Sequence, residues 1–363
     1  RQDGPAYDLK GEGGGQFNSG YRVQSTGNDN LKWETAEQWN WGADFGFFNN
    51  ALYGTIDAYI KDVKDMLINP AYLGSVGEGG ASWLNGPSLR NWGMEFSVGY
   101  RGKTSFGLGY NVSGNVDFFR NRVTYLPETT TGSYAHTTKE NLIQAKVPYG
   151  SSTGYVAQGL FTSKEEVLTS GQPGARLGGI KYADLDGNGV INNDDITWIY
   201  NPVPDFSYGL NIALDYKGFD FQMFWQGVAN KDVYNNQKFQ TDFYGLVDVN
   251  SSKGSRLLDA WLPGVNEGSS IPMMSTMNNS DEGRASTYFV ENGSYLKLRT
   301  LQVGYNFPEK LIKKANINNA RVYLSANNLA TIKSSSLTCT DPENPGFAYP
   351  LSTSISFGIQ VGF

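Results

Sequence analysis

The sequence predicts an all-β protein, an antiparallel β-barrel of the kind that crosses a bacterial outer membrane. Three observations predict it: apolar and polar residues alternate with a period of two in many segments, the connections between these segments alternate between short and long, and aromatic residues gather beside the short connections. Period-two alternation indicates a strand with two unlike faces. Short turns at one end and long loops at the other are the layout of an outer-membrane barrel.

The last ten residues form the clearest predicted strand. Large apolar side chains occupy one face: Ile355, Phe357, Ile359, Val361 and Phe363. Only Ser, Gly and Gln occupy the other face. A soluble sandwich would also alternate, so the prediction depends on the repetition of this pattern along the chain.

Nine such segments can be distinguished, and each is about long enough to cross a membrane as a tilted strand. The predicted strands are residues 38–48, 51–62, 91–101, 104–117, 205–217, 219–229, 294–306, 319–329 and 353–363. In the seventh, the apolar residues change face near Arg299–Thr300, which predicts a β-bulge.

The connections between the strands differ in length. Short turns are predicted at Asn49-Asn50, Gly102-Lys103 and Lys217-Gly218. Long loops are predicted at residues 63–90, 118–204, 230–293 and 330–352. The aromatic residues near the short turns fit an interfacial girdle; they are Phe45, Phe47, Tyr100, Phe106, Tyr216, Phe219 and Phe363.

Nine strands are expected to be only part of a barrel. An open sheet would leave unpaired backbone groups in lipid, and single-chain bacterial barrels have an even number of strands. If Phe363 ends on the periplasmic side, the long loops, including 118–204, are extracellular. We therefore expect residues 1–363 to be the C-terminal part of one barrel domain whose earlier strands lie outside this sequence.

Composition excludes several other classes of protein. Aromatic residues make up 14% of the chain and charged residues 18%, and the net charge of −6 provides no basic surplus for binding nucleic acid. The sequence contains no run of about 18 apolar residues, so it predicts no transmembrane helix. The single histidine, His136, lies in a polar stretch, and the single cysteine, Cys339, cannot form an intrachain disulfide. We therefore expect neither catalysis nor an organic cofactor.

Several long segments resemble the C-terminal barrel region of the SusC/RagA family of TonB-dependent transporters. The resemblance is carried by IKYADLDGNGVINNDDITWIYNPVPDFSYGLNIALDYKGFDFQMFWQGVANKDVYN, by SYLKLRTLQVGYNFPEKLIKKANINNARVYLSANNLATI and by the closing FGIQVGF. LKWETAEQWNWGADFGFFNNALYGTIDAYIKDVKDMLI resembles upstream strands of the family. In LLDAWLPGVNEGSSIP, Trp261, Pro263, Asn266 and Pro272 resemble a loop of the family.

The resemblance implies a 22-stranded barrel with an N-terminal plug, of which these would be the last nine strands. It implies import of a nutrient, most often an oligosaccharide and sometimes a peptide, in Bacteroidota. A surface SusD-like lipoprotein would be the partner, and TonB would act through an N-terminal region outside this chain. The closing residues Phe357, Ile359, Val361 and Phe363 fit the barrel-assembly signal of this class of protein.

One motif predicts a calcium site in the 118–204 loop. Asp184, Asp186 and Asn188 stand at positions 1, 3 and 5 of an EF-hand-type loop, with Gly189 at position 6 and Asp195 at position 12. The Val190 carbonyl and Asn192 would complete the ligand set. The alternative is a loop held by Asx-turns without an ion.

Aromatic residues in the predicted loops are candidates for substrate contact, because sugar rings stack on aromatic faces. They are Tyr72, Trp83, Trp198, Tyr200, Phe239, Phe243, Tyr244 and Trp261. The alternative for each is packing within the loops or against a partner.

Two other functions stay open at the level of sequence. One is a TonB-dependent transporter for a siderophore or cobalamin. The other is a secreted β-sandwich that binds carbohydrate and carries a dockerin-like calcium loop.

Overall fold

The computed structural model describes residues 2–3, 21–22, 27–68, 83–125, 152–245, 250, 252–276, 282–313, 316–346 and 349–363. In this part of the chain, no helix is long and apolar enough to span a membrane.

The dominant element is one nine-stranded sheet. Its strands are β1 (Thr35–Phe47), β2 (Leu52–Lys64), β3 (Ser88–Lys103), β4 (Gly109–Tyr125), β5 (Phe206–Tyr216), β6 (Phe219–Ala229), β7 (Tyr295–Asn306), β8 (Asn319–Lys333) and β9 (Ser354–Gly362). Each strand lies beside its neighbour in the sequence, so β1 and β9 are the edges. All nine predicted strands are confirmed, although β4 begins at Gly109 and not at 104, and continues to Tyr125 and not to 117. Their order is that of a meander and not of two packed sheets.

The predicted irregularity in β7 is confirmed. The pairing of β7 with β6 passes from Leu298–Trp225 to Thr300–Phe224, which leaves Arg299 as the extra residue of a bulge. The pairing with β8 shifts at the same level, where Arg299 lies opposite both Asn328 and Leu329. A bulge of this kind redirects side chains locally, and Arg299 contributes to a buried charge cluster described below.

One predicted turn was wrong. Gly102-Lys103 lies within β3, and the chain reverses over residues 104–108 instead. The Thr104 amide donates to the Leu108 carbonyl at 2.9 Å, and the Leu108 amide donates to Thr104 Oγ1 at 3.0 Å. Gly107 has φ +97°, a conformation that favours glycine. The Lys217-Gly218 turn is confirmed, with positive φ at both residues.

The two faces of the sheet differ in chemistry along continuous cross-strand rows. One row on the apolar face, from β9 to β4, is Phe357, Leu324, Val303, Phe221, Leu214 and Tyr110. One row on the polar face is Ser356, Ser325, Gln302, Gln222, Ala213 and Asn111. On the apolar face Phe357 is 69% exposed and Leu324 52%. An exposed face of this kind is what lipid requires.

Contacts between Cα atoms divide the chain into two units. The first comprises Arg1–Trp39, Ile60–Asn91 and Asn121–Val147. Within it, Leu67–Ile68 pairs with Leu84–Asn85, and the Asn85 side-chain amide donates to the carbonyls of Lys32 and Asp65, each at 2.8 Å. An ion pair between Arg90 and Asp62 at 2.7 Å adds a second link.

The second unit comprises Asn40–Tyr59, Trp92–Arg120 and Pro148–Phe363. Beyond the strands it contains a loop layer, defined here as the described residues among 152–204, 230–292 and 334–346. This layer has three short strand pairs: Ser152–Gly154 with Thr197–Tyr200, Ala157–Leu160 with Ile180–Tyr182, and Asp232–Tyr234 with Val290–Asn292. Its helical turns are Lys164–Thr169, Asn193–Asp195, Lys238–Thr241, Ser255–Asp259 and Thr287–Phe289. A further short helix, Glu309–Ile312, lies between β7 and β8.

The loop layer has its own apolar core. Its buried members are Tyr155, Ile180, Tyr182, Ile191, Phe243 and Phe289. The Phe289 ring is wholly buried and stacks on Phe239 at a centroid distance of 4.4 Å. Because this core joins segments of two predicted loops, the loops are mutually packed structures and not separate strand connections.

Candidate functional site

The loop layer is held together by buried charge clusters. In the first, Asp242 is wholly buried and accepts hydrogen bonds from Arg256 Nε at 2.6 Å and from the Tyr288 hydroxyl at 2.7 Å. Burial alone would raise the pKa of Asp242, but these hydrogen bonds outweigh it and lower that pKa. Burial raises the pKa of Tyr288. A charge-assisted network of this kind fixes the relative positions of its segments.

A second cluster joins three segments of the loop layer. Lys238 forms an ion pair with Glu291 at 3.0 Å, and the same carboxylate accepts from the side-chain amide of Asn235 at 2.9 Å. Thr338 donates to it through both its backbone amide and its hydroxyl. The buried Glu291 carboxylate therefore has four polar contacts from three residues, which satisfy its hydrogen-bonding capacity.

The third cluster folds residues 341–343 back over the polar face of β7. Lys297, whose side chain is 3% exposed, donates to Asp341 at 2.8 Å and to Glu343 at 2.6 Å. Arg299, at the bulge, and the Tyr295 hydroxyl also donate to Glu343. Burial alone would raise the pKa of Glu343, but these hydrogen bonds lower it to about 2. Two carboxylates thus balance two cations at the bulge.

A cleft of about 600 Å³ opens within the loop layer. Tyr200 and Tyr234 line it with ring centroids 5.9 Å apart, and Lys231 and Asp232 are its charged lining residues. The remaining lining residues are Ser152, Thr153, Pro202, Val233, Asn236, Ala285 and Pro345. An apolar wall with a few polar groups is typical of a small-molecule site.

The structure places the predicted substrate aromatics in three settings. Tyr200 lines the cleft, and Trp198, 40% exposed, lies two residues earlier on the same short strand. Trp83 is 51% exposed, and Tyr244 is half-buried beneath Lys253. Tyr72 lies outside the described residues, as does His136. Substrate contact by the accessible aromatics stays a prediction.

Two of the candidates are corrected by the structure. Phe243 is 3% exposed and packs edge-on against Tyr288 in the core of the loop layer. Trp261 is 1% exposed, and its ring lies against the backbone of Gly178. Phe239, stacked on Phe289, also has a packing role. For these residues the alternative, packing within the loops, holds, because the loops bury their rings.

The calcium-type motif folds as a compact turn. Carboxylate oxygens of Asp184, Asp186 and Asp195 lie within 4.8 Å of one another. Asp184 accepts from the amides of Gly187 and Gly189, both with positive φ, and these bonds hold its pKa below the usual value. Hydrogen bonds also engage the remaining predicted ligands: Asn188 Oδ1 accepts from the Val190 amide and Asn192 Oδ1 from the Asp194 amide.

The donor set of this turn fits a hard cation that takes six to eight oxygen ligands. Asp195 is wholly buried, and its carboxylate accepts from the amides of Leu185 and Asn192. The position-12 carboxylate is therefore turned back toward position 1, as the motif requires. The same contacts also satisfy the alternative, a turn closed by its own hydrogen bonds.

Of the four residues predicted to signal barrel assembly, Phe357, Ile359 and Val361 lie on the apolar face of β9, and Phe363 directly follows the strand. Their exposed fractions range from 42% at Val361 to 88% at Phe363. Their role in assembly stays a prediction.

Sequence reasoning missed the charge clusters altogether. A signal was present in β7, where Lys297 and Arg299 interrupt an apolar strand. Charges there require partners, and Asp341 and Glu343 repeat the same two-residue spacing. Nothing local identifies those acids as the partners, since they lie 44 residues away.

Comparison with known proteins gives a consistent assignment. Residues 4–329 match the family described as TonB dependent receptor-like, beta-barrel. The chain is 30% identical over 330 residues to TonB-dependent receptor P3 of Formosa agariphila, covering 88% of this chain and 32% of that protein. It is 26% identical over 357 residues to TonB-dependent receptor SusC of Bacteroides thetaiotaomicron, covering 93% of this chain and 32% of that protein.

The same fold occurs in a solved structure. The RagAB peptide transporter matches all of this chain and 38% of its own chain, with a TM-score of 0.76 and 23% identity. At that identity the likeness shows the fold alone.

The two-faced meander and these matches define part of an outer-membrane β-barrel. The chain belongs to the TonB-dependent receptor β-barrel family, and its relatives include SusC. The predicted SusC/RagA resemblance is confirmed, and the β-sandwich alternative was wrong. The chain spans about a third of the length of the curated relatives it matches.

Proposed function

We propose that this chain is part of a TonB-dependent transporter that imports an oligosaccharide across the outer membrane. The observation that carries the proposal is the combination of a membrane-type sheet with a folded loop layer that contains an aromatic-lined cleft. Family membership supports the transport class. Tyrosine rings beside hydroxyl and amide groups favour a sugar over a siderophore or cobalamin as the cargo.

We also propose a SusD-like surface lipoprotein as the partner and TonB as the energy source. The similarity to SusC supports both. TonB would act on a part of the protein outside residues 1–363. Purification of the full-length protein from outer membranes with an affinity tag should recover a stoichiometric lipoprotein. Recovery of the transporter alone from gently solubilised membranes would contradict this partnership.

Growth of a deletion strain tests the transport proposal. We expect loss of growth on one oligosaccharide, restored by the wild-type gene, with growth on the corresponding monosaccharide retained. The panel should include neutral and acidic glycans, peptides, and limiting iron or cobalamin. Loss of growth only with peptides, a siderophore or cobalamin would overturn the oligosaccharide assignment.

We propose, in addition, that the turn from Asp184 to Asp195 binds calcium. The proposal is supported by the clustered carboxylates and by the two glycines at positive φ. The ion would stiffen the loop layer and take no part in chemistry. Binding to the native state stabilises it by about 2.7 kcal/mol when calcium is at a hundred times its dissociation constant.

Calcium titration with a matched pair of variants tests this site. Asp186→Ala removes a ligand, whereas Asp194→Ala removes an adjacent acid outside the cluster. We expect calcium to slow amide hydrogen exchange at residues 184–196 in the wild type and in Asp194→Ala, but not in Asp186→Ala. If calcium changed the exchange in none of the three proteins, the alternative would hold, namely a loop closed by Asx-turns without an ion.

A further inference from the structure

The cleft in the loop layer carries an inference about the chemical class of the imported sugar. Its volume of about 600 Å³ lies within the range of small-molecule sites. Every residue that lines it belongs to the second unit and comes from the loop layer.

The aromatic wall of the cleft is preformed. Tyr234 lies with its ring 5.9 Å from that of Tyr200 and 5.6 Å from that of Phe289, so the buried core holds it in position. Burial raises the pKa of Tyr234 to about 12, which keeps its hydroxyl protonated at neutral pH. A fixed ring surface with a neutral hydroxyl suits stacking against a sugar ring.

Lys231 is the cation among the residues that line the cleft. Its ammonium makes one long hydrogen bond, 3.5 Å, to the Pro342 carbonyl. Among the described residues, no carboxylate lies within 4 Å of that ammonium. Asp341 and Glu343 of the adjacent loop bind Lys297 and Arg299 directly, and they act on Lys231 only at longer range, where they raise its pKa.

Asp232, the other charged residue of the cleft, is held by a neutral backbone donor and forms no ion pair among the described residues. Its Oδ2 accepts from the Asn201 amide at 3.0 Å. The half-buried Lys231 thus shares Asp341 and Glu343 with Lys297 and Arg299, so that three cations face two carboxylates beside the cleft. Burial lowers the pKa of Lys231, and a bound anion would compensate for that burial.

We propose that this cleft binds an acidic sugar residue of the imported oligosaccharide, with the sugar carboxylate paired to Lys231 and the ring against Tyr200 and Tyr234. The inference rests on the proposed import of an oligosaccharide and specifies its class as a uronate-containing glycan. Ser152, Thr153 and Asn236 supply the hydroxyl and amide groups that sugar hydroxyls need. A peptide would present a carboxylate but no ring hydroxyls to these groups.

Binding to two matched oligosaccharides tests the proposal. The full-length transporter in detergent is titrated by calorimetry with a glucuronate-containing trisaccharide and with its neutral glucose analogue. We expect the acidic sugar to bind ~10-fold or more tightly, the ratio expected for a charge-assisted hydrogen bond. Lys231→Gln should bring the two affinities close together, while Lys231→Arg should keep the preference.

Two further variants separate specific from general effects. Tyr200→Ala should weaken both sugars, because both rings lose the stacking surface. Lys164→Gln, which changes an exposed lysine on the Lys164–Thr169 helix, should match the wild type. Equal affinity of the wild type for both trisaccharides, or an unchanged preference in Lys231→Gln, would overturn the proposal. So would tight binding of an acidic tripeptide without binding of either sugar.

The growth experiment distinguishes this inference from the proposed function. Loss of growth on a neutral glycan alone would overturn the acidic specificity and leave oligosaccharide import standing. If the purified transporter bound the acidic sugar through Lys231 but the deletion strain still grew on every glycan, the proposed import would be overturned. The proposed specificity of the cleft would stand.

Discussion

Lys297 lies almost wholly buried on the polar face of β7, where it holds two carboxylates that arrive from a loop 44 and 46 residues later in the sequence. Buried charges are tolerated when each finds an opposite charge and enough hydrogen bonds. Asp341 meets this condition through the amides of Glu343 and Leu351 as well as through Lys297. These ion pairs and hydrogen bonds therefore hold the loop of Asp341 and Glu343, which borders the cleft, in position.

Replacing Lys297 with Met should release this loop. The variant removes one cation from two buried carboxylates, and breaking a buried pair costs about 3–5 kcal/mol. Lys313→Met is the matched control, because the Lys313–Glu309 pair is exposed and such pairs contribute about 0–1 kcal/mol. Hydrogen exchange at residues 337–346 should rise in Lys297→Met only. Equal protection in the two variants would show that the cluster does not hold the loop.

The same cluster predicts a dependence on acid. The pKa of Glu343 falls from its ordinary 4.5 to about 2, so the carboxylate stabilises the fold fully above about pH 4.5. That stabilisation is lost as the pH falls from about 4.5 toward 2, because the unfolded loop takes up the proton first. Proteolysis within residues 330–352 should therefore increase from pH 5 to pH 3. Glu343→Gln should show less of this increase, and a wild-type loop that becomes labile only at alkaline pH would contradict the assignment.

At the scale of elements, the strands were predictable and the loop layer was not. The β6 strand, Phe219–Ala229, begins and ends where its alternation predicted. The alternation is a local signal, because successive side chains of a strand point to opposite faces of the sheet. The loop layer depends on contacts between distant segments, such as that of Asn235 with Thr338, 103 residues apart. Local pattern contains no record of such pairs, so it does not decide between substrate contact and loop packing for Phe243 and Trp261.

Gly178 tests how tightly one of these loop segments is packed. It has φ +68°, and an added Cβ would lie 2.5 Å from Met273 Cβ and 2.7 Å from the Trp261 ring. Gly264 is the matched control, with φ +72° and open space around the same position. Both alanine variants should cost about 1–2 kcal/mol for the left-handed backbone.

Gly178→Ala should cost about 1–3 kcal/mol more than the control, because Trp261 must move. Hydrogen exchange at residues 176–180 and 261–273 measures the difference. Similar exchange in these segments for the two variants would mean that Trp261 is loosely packed.

At the scale of the whole molecule, the apolar face carries the outer-membrane assignment. Its cross-strand rows run unbroken from β9 to β4, and their large side chains have no covering layer among the described residues. The loop layer contains the cleft and the calcium-type turn, the two candidate sites of this chain. Sequence alternation predicted both faces, whereas the position of the cleft required the fold.

The orientation of β9 is the most direct test of this account. The full-length protein, with its buried Cys339 replaced by alanine, would carry single cysteines at successive positions from 354 to 361. Spin labels on these cysteines would be measured in lipid bilayers. We predict that labels at 355, 357, 359 and 361 are accessible to dissolved oxygen, and that those at 354, 356, 358 and 360 are accessible to a water-soluble nickel chelate. Accessibility to the chelate at every position, with no period of two, would contradict a lipid-facing strand.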